Sequence, residues 1–274
     1  MKEKACNAAR AAVLSLAGLS LRRAGRVLLD DVSFTQHAGE FIALIGPNGA
    51  GKSTLIRAVS GEWNADGDVH LFGRTRRAWP QRQLAQHVAV MPQHSTLAFD
   101  FSVREVVQMG RLPHRQARAD ENAAHVAAIL QELDLEEFAD RPFTTLSGGE
   151  RQRVQFARVL AQIAGNEADS LLILDEPTAA LDLAQQAVVL GLARRRAAQG
   201  AAVLAVVHDL NLAARYADRV LLMKAGRLHA DGTAPSIYRT ATLSAAFGIA
   251  VDVERAQSDG RPLVVVRGQT PAAG

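Results

Sequence analysis

The chain has 274 residues, 48% hydrophobic and 22% charged, a balance that builds a sizeable folded core and excludes a disordered or low-complexity polymer. A net charge of +3, with no long basic run carrying interleaved aromatics, argues against a nucleic-acid binder. A single cysteine, Cys6, excludes an internal disulfide and a cysteine-built metal cage, and points to a reducing compartment.

In chain order, residues 13–23 and 32–37 alternate apolar and polar side chains at period two and predict half-buried antiparallel strands. Residues 41–46 are a short apolar strand running into a glycine-rich turn, followed by a helix over 52–60. Further strands are expected at 68–72 and 87–91, with the arginine cluster 74–77 between them as a solvated loop. From about 102 to 164 the strand-like runs vanish, and Val103, Val106, Val107, Ile129, Leu130 and Leu133 recur at helical spacing. Strand and helix then alternate again: strand 171–174, helix 184–198, strand 202–207, helix 210–217, strand 219–223, and a last strand at 263–267. Such alternation implies a mostly parallel sheet covered by helices, interrupted once by a helical block. No apolar run approaches the roughly 18–20 residues that cross a bilayer, and no secretory signal is evident. A cytoplasmic chain that meets a membrane only through a partner is expected.

Gly46, Pro47, Asn48, Gly49, Ala50, Gly51, Lys52, Ser53 and Thr54 fit the pattern G-x-x-x-x-G-K-[ST]. The glycines let successive backbone N–H groups curl inward on an anion, and the helix after them adds its positive end. Lys52 reaches β- and γ-phosphates, and the Ser53 hydroxyl is a ligand for Mg²⁺. A chance match in a chain of this length has odds on the order of one in a hundred, and this one lies between an apolar strand and a helix. ATP binding and hydrolysis are the expectation.

The apolar run 171–174 ends in Asp175 and Glu176. Ligands of parallel α/β sheets gather at the carboxyl ends of strands, which assigns Asp175 to Mg²⁺ and Glu176 to the attacking water. His208 closes the run 202–207 in the same way. A histidine there is commonly a structural hydrogen-bonder, but on this sheet it points into the same crevice, which favours a γ-phosphate contact. Ser147 and Glu150, in the run LSGGE, have the spacing of a capping box. The plain meaning is a helix start, yet Gly148 and Gly149 leave that helix end bare for an incoming anion.

These motifs in this order, with Gln93 following Val90, Met91 and Pro92, resemble the ATP-binding subunits of ABC transporters over nearly the whole chain. The resemblance implies an α/β fold: a P-loop NTPase (RecA-like) core with an N-terminal antiparallel β subdomain, formed by 1–93 and 165–274, and an inserted α-helical subdomain, 94–164, carrying the signature. It also implies a homodimer sandwiching two ATP molecules, each between one subunit's phosphate loop and the other's Ser147, Gly148 and Gly149. Gln93 then links the γ-phosphate and Mg²⁺ to the helical insertion and a membrane partner. Asp182 contacts the opposite subunit, and Glu176 is the catalytic carboxylate. Two departures stand out. Glu150 replaces the glutamine of many relatives, and Arg23 occupies the place of an adenine-stacking tyrosine. A guanidinium plane can stack on a base; the alternative is a plain surface arginine with adenine weakly held.

Residues 97–114 and 150–162 are similar to the ATPases of haem importers, part of a group that also carries iron-siderophores and cobalamin. Cys6 and the eight histidines show no ligand-like clustering, and the ATPase need not touch its cargo. The resemblance implies the energy-coupling subunit of a bacterial haem importer on the cytoplasmic face of the inner membrane. Its partners would be two transmembrane permease subunits and, indirectly, a periplasmic haem-binding protein. An iron-siderophore or cobalamin cargo is the first alternative. An ABC ATPase acting on nucleic acid ranks below it, because the chain has one motif set and no sustained heptads. With every catalytic position intact, a purely structural role is set aside.

Overall fold

A computed structural model describes residues 11–93 and 100–267; Cys6 and the opening of the 97–114 stretch lie outside the described residues. In chain order the elements are β1 (Ala12–Arg23), β2 (Arg26–His37), β3 (Phe41–Ile45), α1 (Lys52–Ser60), β4 (Asp66–Leu71), β5 (Arg74–Thr75), α2 (Gln81–His87) and β6 (Val88–Met91). Three helices come next: α3 (Val103–Met109), α4 (Ala119–Glu132) and α5 (Gly148–Ile163). Then come β7 (Leu171–Asp175), α6 (Leu183–Ala198), β8 (Ala202–Val206), α7 (Leu210–Tyr216), β9 (Arg219–Lys224) and β10 (Arg227–Gly232). The last elements are α8 (Ala234–Ile237), α9 (Thr240–Phe247), β11 (Val251–Arg255) and β12 (Pro262–Val266).

Among the described residues the strands form three sheets. An antiparallel sheet has the order β2-β1-β4-β5, the main sheet runs β10-β9-β3-β8-β7-β6, and β11 pairs with β12 alone. In the main sheet β9, β3, β8, β7 and β6 are parallel, and only β10 is antiparallel. Period-two alternation sorts its side chains into two cores. Phe41, Ala43 and Ile45 of β3 join Leu172, Leu174, Val203 and Ala205 on the face covered by α3 to α9. Ile42 and Leu44 join Leu171, Ile173 and Leu204 on the face covered by α1 and the antiparallel sheet. A strand buried on both faces has no reason to alternate in hydrophobicity, which is why these runs read as continuous apolar segments.

Several details differ from the expectation. β2 begins at Arg26 rather than 32, because Ala24 (φ 47°) and Gly25 (φ 74°) make a two-residue turn that returns the chain at once. The arginine cluster is not simply a solvated loop. Arg74 and Thr75 pair as β5, and Arg76 folds over Gly61, donating from Nε to the Ser60 carbonyl at 3.0 Å. As their helical spacing implied, Val103, Val106, Val107, Ile129, Leu130 and Leu133 are all buried, and they share one continuous core with the main sheet. The C-terminal half of α5 belongs to that continuity: Gln162 donates to the carbonyls of Ala85 and Val88 beside β6.

Candidate active site

The carboxyl ends of β3, β6, β7 and β8 share one edge of the main sheet, and the chemistry-bearing residues collect there. The loop after β3 needs its glycines for two separate reasons. Gly46 has φ 149°, and a Cβ there would lie 2.2 Å from the Met223 carbonyl of β9. At Gly51 (φ 100°) it would lie 2.7 Å from the Leu28 carbonyl of β2. Gly49 (φ 77°) has open space and needs only the left-handed backbone. The loop is thus pressed between two sheets and delivers α1 with no side-chain cap on its N-terminus. First-turn N–H groups left without a cap are the donors an anion takes.

Lys52 is buried and curls back across this loop, donating from Nζ to the carbonyls of Gly46 (2.7 Å) and Pro47 (3.0 Å). Burial lowers its pKa, against the pull of Glu176 and Asp175. Ser53 donates from Oγ to Asp175 Oδ1 at 3.2 Å, joining the start of α1 to the end of β7. Asp175 is itself buried, and that burial raises its pKa, with Glu176 adding to the rise and the Ser53 hydrogen bond opposing it. A hydroxyl and a carboxylate side by side are hard oxygen donors suited to Mg²⁺, which takes one or two protein oxygens and fills its other positions with phosphate and water. The residues fit that ion.

Glu176 adopts a left-handed backbone (φ 56°), a costly conformation for a residue with a side chain. Its carbonyl accepts from Gln152 Nε2 of α5 (3.0 Å) and from the Ala179 N–H (3.2 Å). The strained turn throws the carboxylate towards β8, where Glu176 Oε1 lies 2.6 Å from Nε2 of the half-exposed His208. Two residues at the ends of separate strands therefore touch. Gln93 lies two residues beyond β6. With Met91 of β6 opposite Leu174 of β7, it sits on the same edge as Asp175.

The remaining predicted residues lie elsewhere. Ser147 caps α5 in a full capping box: its Oγ accepts from the Glu150 N–H (3.3 Å), and Glu150 Oε2 accepts from the Ser147 N–H (2.7 Å). Gly149 is needed for packing as well as for a bare helix end, since a Cβ would come 3.1 Å from Gln185 Oε1 and 3.2 Å from the Ala180 carbonyl. Among the described residues no hydrogen bond joins Ser147, Gly148 or Gly149 to the phosphate loop of the same chain. Asp182 caps α6, accepting from the Gln185 N–H at 2.8 Å. Arg23 ends β1 with its guanidinium 4.4 Å from the centre of the Trp63 ring, which Arg57 also approaches at 4.8 Å. Sequence reasoning misses Gln152 and Trp63; a glutamine inside a helix and a lone tryptophan after one announce no partner.

A glycine loop pressed between sheets, a lysine at its centre and a hydroxyl–carboxylate pair at the neighbouring strand end define a P-loop nucleoside triphosphatase. Residues 29–179 match the ABC transporter family, and the chain belongs to that family as an ATPase. The chain is 46% identical over 257 residues to "Hemin import ATP-binding protein HmuV" of Plesiomonas shigelloides, covering 89% of this chain and 97% of that one. The protein of the same description from Pseudomonas aeruginosa is also 46% identical, over 93% of this chain and all of its own length (100%). Among solved structures, an inward-facing conformation of a metal-chelate type ABC transporter matches with a TM-score of 0.79 at 28% identity, covering 95% of this chain and 99% of that one.

Proposed function

We propose that this chain is the ATP-hydrolysing, energy-coupling subunit of a bacterial haem importer. The observation that carries the reading is the Glu176–His208 contact of 2.6 Å on the same sheet edge as Lys52 and Asp175, in a chain 46% identical over almost its whole length to hemin import ATP-binding proteins.

Residues 46–54 wrap the phosphates, and Lys52 gives up its two loop carbonyls for phosphate oxygens. Ser53 and Asp175, with Gln93, would hold Mg²⁺, which spreads charge off the phosphates when bound. Glu176 takes the proton of the attacking water as the water attacks the γ-phosphorus and the bond to the β,γ-bridging oxygen breaks. His208 steadies that carboxylate and meets the γ-phosphate. Arg23 stacks on adenine in place of an aromatic ring. Two copies close head to tail, so that Ser147, Gly148 and Gly149 of one cap the nucleotide of the other and Asp182 meets the partner. The helical block 94–164 passes that closure to two permease subunits at the cytoplasmic face of the inner membrane, with a periplasmic haem-binding protein as the donor. Among the described residues no helix is long and apolar enough to cross a membrane, in keeping with membrane-spanning work assigned to separate subunits.

The test is ATP hydrolysis by this chain in liposomes with its permease, with and without haem-loaded binding protein. Stimulation specific to the haem-loaded form is expected. A second reading, in which the cargo is another metal chelate such as an iron-siderophore, is supported by the likeness to the metal-chelate type transporter. It predicts stimulation by that chelate and indifference to haem.

A further inference from the structure

His208 stands in the short bend between β8 and α7, and the helix beyond it is held from outside the sheet. Helix α7 has only seven residues, too few to hold its own orientation. Its first turn is fixed from within by Asp209, whose Oδ1 accepts from the N–H groups of Asn211 (2.7 Å) and Leu212 (3.0 Å). It is also fixed from without. The Asn211 amide is bonded on both edges by one residue of β12: Val264 N–H donates to Asn211 Oδ1 at 2.8 Å, and Asn211 Nδ2 donates to the Val264 carbonyl at 3.2 Å. The hydroxyl of the buried Tyr238, just after α8, donates to the Leu210 carbonyl at 2.9 Å. Three hydrogen bonds from the C-terminal unit therefore end on the two residues that open α7, within three positions of His208.

The unit that supplies them is itself slight. The β11–β12 hairpin has five residues on each strand, pairs with no other strand among the described residues, and buries Val251 and Val264 inward. A two-stranded hairpin is at best marginally stable alone, so β12 keeps its place by docking, and the hydrogen bonds to Leu210 and Asn211 are where the unit meets the opening of α7. We infer that the C-terminal unit sets the position of His208 against Glu176, with Asn211 and Tyr238 as positioning residues for hydrolysis. The inference rests on the proposed reading of the Glu176–His208 pair. The side chains of Asn211 and Tyr238 are engaged by Val264 and Leu210 rather than by the phosphate loop; each acts through the bend that carries His208. Asparagine is needed because only an amide side chain both donates to and accepts from one strand residue at this reach.

The test uses the full chain with Asn211→Ala, Asn211→Asp and Tyr238→Phe, each also combined with His208→Ala. Leu243→Ala, in the buried face of α9, serves as a control that destabilises the same unit and leaves all three hydrogen-bonding groups in place. Asn211→Ala is expected to lower kcat by about tenfold or more, the scale of a sub-ångström to ångström misplacement, with ATP affinity within about twofold. Asn211→Asp loses the donor to the Val264 carbonyl and is expected to fall as far. Tyr238→Phe is expected to lower kcat less, since it removes one bond of three. The loss should vanish in the His208→Ala background, because both changes act on one group. Leu243→Ala should lower Tm while keeping kcat. Unchanged turnover in Asn211→Ala, full additivity with His208→Ala, or an equal loss of kcat in Leu243→Ala at matched Tm would each overturn the inference. If His208→Ala alone turns over normally, it is the reading of the catalytic pair that fails.

Discussion

Lys52, Asp175 and Glu176 gather three titratable groups at one strand end, and burial moves the pKa of each of the first two off its ordinary value. Burial lowers the pKa of Lys52, so the native state binds that proton less tightly than the unfolded chain. Its contribution to stability rises as pH climbs from the lowered native value to the ordinary lysine value. Asp175 runs the other way. Burial raises its pKa, the native state binds the proton more tightly, and stability falls as pH rises from the ordinary aspartate value through the raised one. Asp175→Asn is therefore expected to raise the Tm of the nucleotide-free protein at neutral pH and to remove the acid-side slope, while abolishing Mg²⁺-dependent turnover. Melting curves from mildly acidic to neutral pH, with a phosphate-release assay, check both halves. The glycines offer a second contrast. Gly46→Ala drives a methyl to 2.2 Å from the Met223 carbonyl, whereas at Gly49 nothing lies within 4 Å. Gly49→Ala should cost about 1–2 kcal/mol from backbone strain alone, and Gly46→Ala clearly more, read as the order of their melting temperatures.

At the scale of elements, α5 is fastened at both ends. Its N-terminus has the Ser147–Glu150 box, and its C-terminal carbonyls are taken by Arg111, which is buried and donates to Ala161 (2.8 Å) and Ala164 (2.7 Å) while its Nε donates to Asn122 of α4 at 2.8 Å. One guanidinium thus ties α4 to α5. Arg111→Met is expected to cost about 2 kcal/mol by leaving those acceptors unpaired, a Tm loss of roughly 5 °C in a chain of this size. Arg111→Lys should not restore it, because an ammonium lacks the planar fork; thermal melts of both variants decide. The capping box was legible in the sequence, but Arg111 was not, since nothing local marks an arginine that is satisfied 50 residues away. The same division holds for the fold. β3, β7 and β8 were legible because burial on both faces writes itself as an unbroken apolar run. β10 was not, because an edge strand with an alternating, largely exposed pattern looks like a loop. The helix α2, with no fully buried residue, left no periodic trace either. Glu176 and His208 were each legible as strand-end residues, while their contact depends on the left-handed backbone at Glu176 that no sequence pattern displays.

For the whole molecule, α5 touches both halves of the proposed reaction. Ser147 opens it, and Gln152, five residues on, donates to the carbonyl of Glu176. Five residues of helix span about 7.5 Å, so the nucleotide that the proposed dimer seats on the helix end from a second copy lies within one and a half turns of the backbone turn at Glu176. On the proposed reading, closure of the dimer and aim of Glu176 are mechanically one event. Hydrolysis should therefore be the step that undoes closure, and blocking it should trap the closed form. Glu176→Gln removes the proton acceptor but keeps the backbone turn, and is expected to retain ATP binding with kcat lowered by about 10²–10⁴-fold. In light scattering it should run as a dimer with ATP and Mg²⁺ and as a monomer without. Adding Ser147→Arg, which fills the bare helix end, should restore the monomer while leaving nucleotide binding in place. A Glu176→Gln protein that stays monomeric with ATP bound would remove the partner from the site and, with it, the role given to Ser147, Gly148 and Gly149.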